Sequence, residues 1–85
     1  MTPTEALDAI RGYAAANRIT LDEHVRHRMR QRHAQYGDVR HALMTAIACR
    51  LQPNERWRVE SADLDGDEMT LIVVIDDGDI VVTLF

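Results

Sequence analysis

His24, Arg28 and Arg32 stand at i, i+4 and i+8 of one polar stretch. On an α-helix that spacing puts all three on one face, each about a turn from the next. His27 lies beside them, three positions after His24. Guanidiniums beside an imidazole suit an anion, above all a phosphodiester. The guanidinium fork matches two phosphoryl oxygens, and the imidazole can exchange a proton near neutral pH. His24, Arg28 and Arg32 are therefore the candidate catalytic residues, with His24 as general base and the two arginines stabilising phosphoryl charge. His27, Arg58 and Tyr36 are the candidate substrate-binding residues, Tyr36 as a ring on which a base can stack. Trp57 could stack likewise, but its alternation also fits the core. Like charges stacked at i, i+4 cost about 0.2–0.5 kcal/mol per pair. The same spacing also fits a solvated helix surface whose Arg stems cover apolar groups.

Other chemistries fit less well. His24 and His27 form an H-x-x-H pair, with His33 and His41 further on. The surrounding arginines repel a divalent cation, and no carboxylate or cysteine sits at ligand spacing, so neither a metal nor a cofactor is expected. Asp63, Asp65 and Asp67 lack the twelve-residue spacing of a calcium loop and read as a hairpin turn. Cys49 ends an apolar stripe and reads as a packed residue. As the sole cysteine it allows no intramolecular disulfide, which points to a reducing, cytoplasmic setting.

The elements that must hold these residues belong to one domain, residues 1–85. With 46% hydrophobic and 28% charged residues, the composition is that of a globular protein. All ten basic residues are arginine. Residues 18–58 hold nine arginines against four acids, a balance of +5, whereas residues 59–85 hold eight acids and no base. Such a split implies two surfaces with different partners, one anionic and one cationic. Residues 1–17 lack a basic start followed by an apolar run, so no leader is expected. No apolar run is long enough to span a membrane.

Residues 2–16 read as a helix, with Thr2 as cap, Pro3 in the first position and Glu5 completing a capping box. Asn17 is a left-handed stop. Residues 18–21 read as an extended link. Asp22 caps a second helix reaching about Arg32, with Val25 and Met29 as its narrow apolar seam. A third helix is expected from Gly37 or Asp38 to Ala48, because Val39, Ala42, Leu43, Ala46 and Ile47 repeat at helical spacing. Pro53 and Asn54 break the pattern. Arg56–Glu60 then alternates as a half-buried strand. Met69–Ile75 reads as a central strand covered on both faces. Asp76–Asp79 is a tight hairpin, and Ile80–Phe85 a last strand, central or at a dimer edge. The fold expected is α+β: helices followed by a three-stranded, or slightly larger, antiparallel meander, with the helices on one face of the sheet.

The stretch from His24 to Arg32, followed by Asp38-Val39 and Ala42-Leu43, resembles the H-x-x-x-R-M-x-x-R … D-V-x-x-A-L pattern of the DUF4258 family. Trp57-Arg58-Val59, Asp63–Gly66, Leu71–Ile75 and Val81–Thr83 are similar to its later segments, so the likeness covers residues 18–85, with 1–17 as an added N-terminal helix. The resemblance implies a small BECR-type fold related to the RelE and MqsR toxins. It also implies a metal-independent ribonuclease, the toxin of a type II toxin–antitoxin system, with RNA as substrate and an antitoxin protein as partner. His24, Arg28 and Arg32 match the recurrent polar positions. The sequence departs from the pattern at His33, where a glycine is usual, and has no lysine. A non-catalytic module binding protein or nucleic acid, or a self-associating homodimer, fits the residues as well.

Overall fold

The computed structural model describes residues 1–84. Helix α1 spans Pro3–Ala15. Its capping box closes as the sequence requires: Glu5 N–H donates to Thr2 Oγ1 (3.2 Å) and Thr2 N–H to Glu5 Oε1 (2.8 Å). Ala6, Ile10 and Ala14 are buried along one stripe. Asn17 takes the left-handed conformation, φ 59°, and stops the helix. Residues Ile19–Leu21 are not a link but a strand, β1. Three residues are too few to show an alternation, so the sequence alone gave no strand signal.

Helix α2 spans Glu23–Arg32, and Val25 N–H donates to its cap, Asp22 Oδ1 (2.8 Å). It ends at His33, which adopts φ 56°, ψ 28°. The N–H groups of His33 and Ala34 reach back to Arg30 O (3.3 Å) and Met29 O (2.9 Å). That pair of bonds is the Schellman stop, whose left-handed position favours glycine.

Helix α3 spans Tyr36–Met44 and is shorter than its periodicity predicts. Thr45 folds its hydroxyl onto His41 O (2.8 Å). Ala46 is buried with its carbonyl held by the Arg11 guanidinium, and Ile47 is 84% exposed. The apparent i+7, i+8 continuation is thus a bend that happens to carry apolar residues. Cys49–Gln52 then forms β2, paired with the next strand.

A single turn at Pro53–Glu55, with Asn54 and Glu55 both at positive φ, leads into β3, Arg56–Ala62. Strand β4 is Glu68–Asp76 and β5 is Asp79–Leu84; Phe85 lies outside the described residues. The β3–β4 turn is held by Asp63, whose Oδ1 accepts from the N–H of Asp65 and Asp67, both at 2.9 Å. Gly78 supplies the positive φ, 84°, that the two-residue β4–β5 turn needs.

The protein is α+β, with one five-stranded mixed sheet ordered β1-β5-β4-β3-β2. It exceeds the expected three-stranded meander because both edge strands, of three and four residues, are too short to show an alternation in the sequence. β1 runs parallel to β5, pairing Ile19 with Ile80, and this makes the sheet mixed. β5 lies between β1 and β4, so it is interior and not a dimer edge. The three helices cover one face, where Trp57, Val59, Met69, Leu71, Val73, Ile80 and Val82 meet Ile10, Val25, Val39 and Leu43 in one core. The opposite face is open: Thr70, Ile72 and Val74 alternate with the buried residues of β4 and stay partly exposed. β4 is therefore central but covered on one side, not two. No helix among the described residues is long and apolar enough to cross a membrane.

Candidate phosphate-binding surface

Only Val25 and Met29 of α2 are buried. They press the helix onto the core and leave its other eight residues exposed. At 3.6 residues per turn, His24, Arg28 and Arg32 fall on one flank of that seam and Arg26 and Arg30 on the other. His27 stands at the crest, opposite the core. Along a flank, i to i+4 rises about 6 Å.

The electrostatics follow from what is missing between the arginines. Glu23 is the sole acid within α2, against four arginines. The neighbouring Asp22 carboxylate is occupied by the helix N-terminus. Among the described residues, Arg26, Arg28 and Arg30 make no ion pair or hydrogen bond through their side chains. Arg32 is attached: its Nη2 donates to Glu68 O at 3.1 Å, at the start of β4. β5 pairs with β4 only as far as Ile72, so the Glu68 carbonyl is open to a side-chain donor.

The remaining arginines divide by task. Arg40 donates to Ala14 O (3.1 Å) and Ala15 O (3.0 Å), closing the carbonyl end of α1. Arg11 ties α1 to the Ala46 carbonyl, and Arg18 reaches Gly78 O at 3.4 Å. These are structural contacts. The α2 arginines other than Arg32 have no such duty.

Two sequence-selected residues lie elsewhere. Tyr36 opens α3, and its hydroxyl donates to Asn17 Oδ1 at 3.4 Å, which fastens α3 to the end of α1. Arg58 projects from the open face of the sheet, away from the helical layer that carries α2. There its Nε donates to Glu60 Oε1 (2.9 Å), which also accepts from Arg50 Nη2 (3.4 Å). Sequence reasoning missed this trio because Arg50 belongs to a strand that was not expected. Trp57, 5% exposed, belongs to the core.

Asp63, Asp65 and Asp67 bring their carboxylates within 4.8 Å of one another, and the Asp63 bonds account for them as turn chemistry. Cys49 is buried, its Sγ donating to Pro3 O (3.3 Å), and burial pushes its thiol above the ordinary range. A thiol held protonated is a poor nucleophile.

No protein-family model, curated protein or solved structure matches the chain. The surface chemistry of α2 is that of an exposed helix with unneutralised guanidiniums on both flanks and imidazoles at its crest and side.

Proposed function

We propose that the protein binds RNA through α2 and cleaves it without a metal, as a toxin-type ribonuclease. The observation that carries this reading is the set Arg26, Arg28 and Arg30, exposed and without carboxylate partners. Guanidiniums left without acids on a helix otherwise anchored by two residues are suited to phosphate oxygens. The likeness of residues 18–85 to the DUF4258 pattern supports the same chemistry.

In this reading His24 takes the proton of a ribose 2′-hydroxyl. The freed oxygen attacks the adjacent phosphorus, and the bond to the 5′-oxygen breaks. That oxygen takes a proton from water, leaving a 5′-hydroxyl and a 2′,3′-cyclic phosphate. Arg28 and Arg32 stabilise the charge on the phosphoryl oxygens. A buried, reduced cysteine fits a cytoplasmic setting, and an antitoxin-type partner would cover α2 with acidic side chains.

One observation favours the non-catalytic alternative. His24 has no side-chain hydrogen bond among the described residues, so nothing orients its ring as a base usually requires. An RNA cleavage assay decides. His24→Ala should lose about 10²–10⁴-fold in rate and Arg28→Ala a comparable factor. Equal activity in both variants and the parent protein removes the assignment. Binding without cleavage in the parent protein establishes the binding module instead.

A further inference from the structure

We propose that the open face of the sheet carries a second phosphate subsite, built by Arg50 and Arg58 on Glu60, which holds a later stretch of the same RNA strand. The inference rests on the RNA reading of α2.

Arg50 and Arg58 are direct cross-strand partners in the β2–β3 ladder. Like charges in that relation are destabilising. Both lean on one carboxylate oxygen of Glu60, at 3.4 and 2.9 Å. Exposed ion pairs of this kind add little, so stability gives little reason for the arrangement. An anion between the two arginines gives one. Glu60 uses Arg58 Nε and Arg50 Nη2, and the other guanidinium nitrogens have no partner among the described residues. The shared carboxylate fixes both forks in advance, which lowers the ordering cost of binding. Ile72, opposite Arg58 on β4, offers apolar surface beside them.

The cleft and the helix meet at one residue. Arg58, Glu60, Ser61, Glu68 and Thr70 line a polar cleft of about 220 Å³. Glu68 is also the residue whose carbonyl Arg32 holds. Glu68 pairs with Ala62, four residues along β3 from Arg58, or roughly 13 Å at about 3.3 Å per residue. A ligand following this route turns from the helical layer, around the end of β4, onto the opposite face of the sheet. A duplex resists so tight a turn. A flexible single strand can follow it.

The test is fluorescence anisotropy with labelled 2′-O-methyl oligouridylates of about three and about ten nucleotides, at several salt concentrations. The blocked 2′-oxygen keeps cleavage out of the reading. The Arg50→Ala, Arg58→Ala double variant should bind the long oligomer roughly tenfold more weakly and the short one unchanged. Its slope of log affinity against log salt should fall by about 1.4, at about 0.7 per phosphate contact on a single strand. Glu60→Gln keeps an oxygen that can hold both forks but removes the competing negative charge, so it should bind the long oligomer more tightly. Arg50, Arg58 and Glu60 are all exposed, so the melting temperature should hold and confirm folding. Long-oligomer affinity and slope unchanged in the double variant, with Arg28→Ala weakening both lengths, overturn the second subsite alone. If Arg28→Ala weakens neither length, the RNA reading falls and the subsite with it.

Discussion

Replacing His33 by glycine should stabilise the protein. His33 holds φ 56° at the end of α2, where the Schellman bonds from His33 and Ala34 fix the left-handed geometry. A residue with a Cβ pays about 1–2 kcal/mol for that conformation, and glycine does not. Histidine is among the residues that tolerate it better, so the low end applies. Glycine gives back part of the gain through the greater freedom of its unfolded chain, about 0.5–1 kcal/mol. The net gain is then at most about 0.5 kcal/mol, and no side-chain hydrogen bond of His33 among the described residues is lost. For a domain of this size that raises the melting temperature by at most about 4 °C. Thermal melts of His33→Gly and of Gln31→Gly, a change within the same helix, separate this effect from a general one. Gln31→Gly should lose about 1 kcal/mol. A His33→Gly protein that melts below the parent temperature, as Gln31→Gly should, refutes the argument that backbone conformation governs this position.

Two pH responses follow from the same geometry. The Thr2 backbone N–H, followed by the Thr2 hydroxyl, holds the Glu5 carboxyl below its ordinary pKa of 4.5. A folded pKa below the unfolded one gives stability that is present above about pH 4.5 and lost as pH falls through the folded value. The parent should therefore exceed Glu5→Gln in denaturation midpoint at pH 6, and the two should converge at the acid end; a constant difference rules the linkage out. Burial pushes the Cys49 thiol upward, so less thiolate is present at any given pH. Its reaction with a disulfide reagent should reach half-maximal rate only above about pH 8.5, the value of an exposed thiol, and a midpoint at or below that refutes the burial argument.

What the sequence revealed was local. The Thr2–Glu5 box, the Asp22 cap and the Asp77-Gly78 turn each lie within a few residues, so their signals survive without tertiary context. The strands it hid are short, three and four residues, too few to show an alternation. Ile19–Leu21 becomes a strand because Ile80–Val82 lies beside it, and Cys49–Gln52 because Arg56–Val59 does. The α3 overrun at Ala46 and Ile47 has the same root, since hydrophobic spacing cannot tell a buried turn of helix from an exposed bend. At the candidate surface, the Val25–Met29 seam was enough to show which residues of α2 face outward. The Arg32–Glu68 link, the service of Tyr36 to Asn17 and the place of Arg58 on the far face all depend on how distant segments meet.

The parallel pairing of β1 with β5 joins segments about 60 residues apart, the longest loop closure in the sheet and an entropically costly one. α2 follows β1 directly, and Asp22 N–H reaches Val82 O at 3.5 Å. The arginine helix is thus hung from the β1–β5 junction. Beyond Val25 and Met29 in the core and the Arg32 link to β4, α2 is held through this junction. The placement of the α2 arginines is in this way tied to completion of the whole sheet.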